Sequence, residues 1–123
     1  MKKKIAIIGA GIAGLTLGNL LQKKSDYEFI IYEKGETLNL DEGFGIQLAV
    51  NSISILNQIG FSKINKSEVF NPKTLDFYSR QDNLCDLDLT QFNTKKEKYS
   101  TLKRSVLISF LKDKLFSNVL RFS

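Results

Sequence analysis

Apolar residues along the chain fall into short runs with two different periods. Lys4–Ile8 (KIAII) is β-branched and apolar throughout, and reads as a strand buried on both faces. Glu28–Glu33 (EFIIYE) reads the same way, bounded by Ser25-Asp26 before it and Gly35 after it. Between the two strands, a glycine-rich turn leads into a helix predicted over about Ile12–Lys24. Strand, tight turn, helix and strand within about 30 residues predict a βαβ unit whose two strands are parallel neighbours.

The pattern then changes. Lys34–Gly45 reads as a loop ending in Gly43-Phe44-Gly45, and Ile46–Ala49 as a short extended apolar segment. Asn51 is placed to N-cap a helix running to about Gln58, with Ile53, Leu56 and Ile59 on one face and Gly60 as its stop. Thr74–Ser79 and Leu84–Leu89 alternate apolar with polar across Arg80-Gln81-Asp82-Asn83, which predicts a hairpin with one wet face. Leu107, Leu111 and Leu115 mark an amphipathic helix over about Lys103–Phe116. Asn118–Phe122 (NVLRF) reads as the start of a further strand, and the chain ends inside it. The fold class expected is α/β: an incomplete Rossmann-like βαβ unit with an added β-hairpin and helices.

Candidate chemistry concentrates in the first unit, where Gly9, Gly11 and Gly14 have the spacing G-x-G-x-x-G. Gly9 lets the chain leave the strand in a tight turn, and Gly11 leaves room for a pyrophosphate to approach the backbone. Gly14 lets the helix pack closely on the strands, and Gly18 extends that small-residue face by packing alone. The helix N-terminus offers free N–H groups and a partial positive charge to phosphates. Glu33 ends the second strand 19 positions after Gly14, where a carboxylate can accept hydrogen bonds from ribose hydroxyls.

The same opening residues, MKKKIAIIGAGIAGLTLGNLLQKK, also imitate a secretory leader, with lysines ahead of an apolar run. Four glycines, Thr16 and Asn19 interrupt that run, and cleavage after Ala13 would strip EFIIYE of its partner strand. The run is also short of the roughly 20 apolar residues of a membrane span. The nucleotide reading wins, and with it a cytoplasmic location is expected, without a membrane partner.

Composition narrows the chemistry further. The chain of 123 residues contains no histidine, which removes Ser-His-Asp and Cys-His catalysis and histidine-ligated metals. Cys85, alone among Leu84, Asp86 and Asp88, has no cation to lower its pKa and reads as a strand residue. No metal site is expected, and no catalytic residue can be named. The formal net charge of +5 comes largely from Lys2–Lys4, Lys23, Lys24 and the stretch KKEKYSTLKR. It reads as a solvated lysine surface, because no nucleic-acid-binding module surrounds it.

Four blocks together carry a resemblance: GAGIAGLTLGNL, IIYEK, GFGIQLAVNSISILNQIGF and LKRSVLISFLKDKL. In that order they resemble the N-terminal part of class A FAD-dependent aromatic monooxygenases, the salicylate and 3-hydroxybenzoate hydroxylases among them. The resemblance implies FAD as cofactor, NAD(P)H as reductant, O2 as co-substrate and a small aromatic substrate. It implies that Gly9, Ala10, Gly11, Ile12, Ala13 and Gly14 hold the pyrophosphate. Glu33, with Lys34 beside it, would bind the adenosine ribose. Gly45, Ile46 and Gln47 would lie near the flavin, and Arg104 would contact the cofactor. An arginine at the positive end of a helix is mildly unfavourable, so some compensating role is expected for it. The family's later Asp-Gly and Gly-Asp motifs do not occur in these residues. Residues 1–123 are thus expected to be the N-terminal portion of an FAD/NAD(P)-binding domain, without the substrate domain and with faces left exposed. Two other readings stay open: a non-catalytic nucleotide-binding remnant, and part of another FAD or NAD(P) oxidoreductase.

Overall fold

The computed structural model describes residues 1–41 and 43–123, so Glu42 of the predicted loop lies outside the described residues. The chain divides into two compact units, Met1–Phe44 with Lys103–Ser123, and Gly45–Leu102.

In the first unit, β1 (Lys3–Ile8), helix α1 (Ile12–Gln22) and β2 (Tyr27–Glu33) form the βαβ arrangement read from the sequence. β1 and β2 are parallel and in register from Lys3 opposite Tyr27 to Ile8 opposite Tyr32. Gly9 extends this ladder by donating its N–H to the Tyr32 carbonyl at 2.7 Å. On the other side of β2 lies a third parallel strand, Leu120–Phe122, in the order β1, β2, C-terminal strand. The run NVLRF therefore joins the sheet beside EFIIYE, although its first residues form a 3-10 turn at Ser117–Val119 instead of extended chain.

The core of this unit lies on one face of the sheet. Ile7, Phe29 and Ile31 point towards the helices and are buried, together with Leu15 of α1 and Leu107, Ile108 and Leu111 of the helix Arg104–Asp113. The opposite face, with Ala6, Ile8 and Tyr32, is exposed, Ile8 at 82%. This corrects the expectation that both strands are buried throughout. Their unbroken apolar sequences have the look of a two-sided parallel sheet, but the two helices cover one side only.

The contact of α1 with the helix Arg104–Asp113 depends on two amides. Asn19 is buried and donates from Nδ2 to the Leu15 and Leu111 carbonyls, both at 2.8 Å. Leu111 sits in the last turn of its helix, where carbonyls have no intrahelical donor. Gln22 donates to the Lys114 carbonyl and accepts the Phe116 N–H, both at 2.8 Å, and so ties down the chain that leaves that helix.

The second unit begins with β3 (Gly45–Leu48), helix α2 (Val50–Asn57) and, after two 3-10 turns, β4 (Val69–Phe70). The N-cap of α2 is Ala49, not Asn51, whose carboxamide oxygen instead accepts the Ser52 N–H within the first turn. Gly60 does end the segment, in the left-handed region at φ 94°. The hairpin of β5 (Thr74–Ser79) and β6 (Asp82–Asp88) is antiparallel, with Arg80 in the left-handed region at its turn and a bulge at Phe77/Tyr78. It was expected to have one dry face. Instead every residue of β6 is exposed, and in β5 only Leu75 is half-buried. Strand β7 (Ser100–Lys103) lies between β3 and β4 and pairs antiparallel with β4. It leads directly into α3 (Arg104–Asp113), and β8 (Leu120–Phe122) closes the chain. The core of the second unit is Ile53, Leu56, Ile59, Phe61 and Leu102.

Removing the Asn19 amide leaves the Leu111 carbonyl buried without that donor, at a cost of about 1–3 kcal/mol. Asn19→Ala is therefore expected to lower the free energy of unfolding by that amount, read as a reduced urea midpoint at unchanged m-value in equilibrium denaturation followed by circular dichroism.

Candidate functional site

The turn from β1 into α1 is shaped by three glycines for three different reasons. Gly9 has φ +98°, a conformation that side chains rarely adopt. Gly14 sits against the turn itself, where a Cβ would stand 2.1 Å from the Gly9 carbonyl oxygen and 3.2 Å from Ile7 Cγ2. Gly11, the N-cap of α1, has an ordinary φ of −77°, and a Cβ there would meet nothing within 4 Å. Gly9 and Gly14 are thus demanded by the backbone, whereas Gly11 keeps an outer space empty. Gly18 is a packing residue, with a Cβ position 2.7 Å from Ile31 Cδ1.

The first helical hydrogen bond runs from the Leu15 N–H to the Gly11 carbonyl at 2.9 Å. The N–H groups of Ile12, Ala13 and Gly14 precede it and so have no partner one helical turn back. No side chain caps this end and no acid lies in its first turn, so the dipole there is not neutralised by the helix's own residues.

Glu33 closes the site from the end of β2. One carboxylate oxygen accepts the Ala10 N–H at 2.8 Å, and the other accepts the Gly35 N–H at 3.0 Å. These bonds, that from Ala10 above all, hold its pKa below the ordinary 4.5, with Lys34 adding a smaller electrostatic effect. Lys34 itself is exposed. An ionised carboxylate has about four lone-pair positions, so acceptor capacity remains after these two bonds.

Arg104 is the first residue of α3. Its N–H donates to the Phe44 carbonyl at 3.0 Å and its guanidinium to the Asn39 carbonyl at 3.3 Å. The guanidinium is thus anchored on the loop that follows Glu33. Gly45, Ile46 and Gln47 form the start of β3 in the second unit. There the Gln47 carboxamide oxygen accepts the Tyr99 hydroxyl at 2.7 Å, which leaves its NH2 as the outward donor. Sequence reasoning missed Tyr99, because nothing in the spacing of residues 47 and 99 signals their contact. The structure therefore brings Gly9–Gly14 and Glu33 together directly, while Gly45–Gln47 form a separate group. Among the described residues, no group of three or more acidic, cysteine or histidine side chains could hold a metal ion, and no helix is long and apolar enough to cross a membrane.

A parallel strand, a glycine turn, an uncapped helix N-terminus and an acid at the next strand end define a Rossmann-like fold. Residues 7–40 match the family of NAD(P)-binding Rossmann-like domains. The chain is also similar to 3-amino-4-hydroxybenzoate 2-monooxygenase of Streptomyces platensis, 44% identical over 61 residues that span 50% of this chain and 15% of that enzyme. A similar match joins it to an FAD-dependent monooxygenase of Penicillium roqueforti, 43% identical over 46% of this chain and 7% of that protein. Among solved structures, 2-methyl-3-hydroxypyridine-5-carboxylic acid oxygenase shares the fold over 99% of this chain, with a TM-score of 0.77 and 20% identity. The 2,6-dihydroxypyridine-3-hydroxylase of Arthrobacter nicotinovorans does so over 100%, with a TM-score of 0.73 and 14% identity. This chain covers 31% and 29% of the length of those two proteins. The resemblance to FAD-dependent monooxygenases thus holds in sequence over about half of the chain, and the fold is shared over nearly all of it.

The lowered pKa of Glu33 links the site to stability. A carboxylate with a folded pKa below its unfolded value stabilises the fold above the unfolded value, and that stabilisation is lost as pH falls through the folded one. Glu33→Gln should therefore cost about 1 kcal/mol at pH 7. The gap from wild type should close as pH falls from 4.5, read from paired denaturation curves.

Proposed function

We propose that residues 1–123 are the N-terminal, FAD-binding portion of a flavin-dependent monooxygenase that hydroxylates a small aromatic molecule using NAD(P)H and O2. The observation that carries this reading is the empty space over Gly9 and Gly11, where a Cβ would meet nothing, in front of unpartnered helical N–H groups and beside the Glu33 carboxylate. That arrangement suits a pyrophosphate flanked by a ribose. The substrate-binding part of such an enzyme would lie outside these residues, in keeping with the share of the solved relatives that the chain covers.

Each residue then has a definable task. Gly9, Ala10, Gly11, Ile12, Ala13 and Gly14 form the backbone cradle, with the N–H groups of the last three directed at phosphate oxygens. Glu33, kept ionised by its two backbone donors, accepts from ribose hydroxyls, and Lys34 adds positive charge at the strand end. Gln47, oriented by Tyr99, offers an NH2 donor near the flavin, with Gly45 and Ile46 leaving room for the ring. Arg104 holds the loop between Glu33 and β3 and completes the cofactor's surroundings. When bound, FAD supplies the redox and oxygen chemistry, and the protein's share is binding, orientation and exclusion of water.

Gly11→Ala separates cofactor binding from folding. Its Cβ clashes with no protein atom, so circular dichroism and thermal midpoint should stay at wild-type values. It would nonetheless intrude where the pyrophosphate approaches, and FAD affinity, titrated by quenching of flavin fluorescence, should fall at least about tenfold, or roughly 1.4 kcal/mol. Wild-type affinity in Gly11→Ala, or no FAD uptake by the native chain, would count against the proposal.

A further inference from the structure

The lysine-rich stretch that the nucleotide site leaves unused takes part in a cavity of its own. In the second unit, a depression of about 400 Å³ is lined by Lys66 from a 3-10 turn and by Lys95, Lys96 and Lys98 from the segment before β7. Amide and hydroxyl groups of Asn57, Ser62, Asn71 and Ser100 line it as well. Its floor is apolar and includes the buried Ile53 and Phe61. Among the described residues, no carboxylate lines it. Glu68 and Glu97 belong to the same two segments but are not part of its wall, and Glu97 accepts the Thr94 hydroxyl.

The backbone that presents these lysines is held in place. Asn57 donates to the Lys96 carbonyl at 3.0 Å, and Ser100 Oγ donates to the Lys98 carbonyl at 2.7 Å. Asn71 donates to the Tyr99 carbonyl at 3.0 Å and to Ser100 Oγ at 2.9 Å. Thr94 Oγ1 accepts the N–H groups of Lys96 and Glu97, at 3.2 and 3.0 Å. Ordinary solvated lysines need no such framework. Four like charges around one concavity repel one another, and a multiply charged anion relieves that repulsion.

We propose that this cavity binds the phosphoryl group of a small organic phosphate, at a site separate from the glycine turn. Three features select that chemistry. A phosphate ester carries close to two negative charges and matches several cations at once, whereas a single carboxylate matches fewer. Lysine binds phosphate as a point charge, and the planar arginine fork that favours carboxylates is missing from the wall. The volume and the apolar floor suit a small molecule with an uncharged organic part, and a concave site of this size fits such a ligand better than an extended polyanion.

The test uses the full chain at constant ionic strength, with phenyl phosphate and inorganic phosphate as probes, followed by backbone amide NMR. Saturable shifts are expected at Asn57, Asn71 and residues 95–100, with phenyl phosphate binding several-fold more tightly than inorganic phosphate. Lys66→Gln combined with Lys96→Gln should weaken phenyl phosphate at least about tenfold while circular dichroism stays unchanged, and Gly11→Ala should leave this binding intact. Failure to saturate, shifts confined to residues 9–14, or unchanged affinity in the double variant would overturn the proposal. Equal affinity for the two probes would overturn the organic part of the ligand and leave free phosphate as the occupant.

Discussion

Helix α1 runs so close to the turn that feeds it that no side chain fits between them: a Cβ on Gly14 would stand 2.1 Å from the Gly9 carbonyl oxygen. Because the obstacle is backbone, no rotamer relieves it. This approach seats α1 on β1 and directs its first N–H groups outward. It also places Ala10 where Glu33 can reach its N–H at 2.8 Å across 23 residues of chain. The seating of the helix and the reach of the acid to Ala10 therefore both rest on this contact. Gly18 repeats it one turn later against Ile31 and Phe29, with side chains now in place of backbone.

Several polar groups are held by bonds within the chain. Glu33 is held by two backbone donors, which fix its carboxylate. Arg104 fixes the loop at Asn39, and Gln47 is fixed by Tyr99. Preorganisation of this kind lowers the entropic cost of binding. The same bonds contribute to the stability of the chain. Asn19 has a purely structural version of that role, satisfying a carbonyl at the end of α3 that the helix itself cannot.

The exposed half of the parallel sheet is the counterpart of this order. Ile8 and Tyr32 face outward from strands whose sequences are as apolar as those of a sheet covered on both sides. The β5–β6 hairpin likewise exposes Tyr78, Leu84 and Leu87. The solved protein 2-methyl-3-hydroxypyridine-5-carboxylic acid oxygenase, which shares this fold, is about three times as long as this chain.

Read alone, the sequence was sufficient for everything dictated by local sterics and short-range period. The glycine spacing, the βαβ order, Gly60 as a stop and the acid at the end of β2 follow from backbone geometry that few residues permit. It also marked NVLRF as the start of a further strand. What it could not determine depends on which surfaces meet. One-sided burial of β1 and β2 depends on where two helices lie, not on the composition of the strands. Asn51 looked like a cap, but Ala49 holds that position, because β3 delivers the chain to α2 in extended form two residues earlier. β4 and β7 are too short to show a period, and their pairing, Val69 opposite Leu102, joins residues far apart in the chain. The lysines of 95–98 read as solvated charge until folding gathered them with Lys66 around one cavity. Local chemistry is written in neighbouring residues, whereas convergence of distant side chains is a property of the packed chain alone.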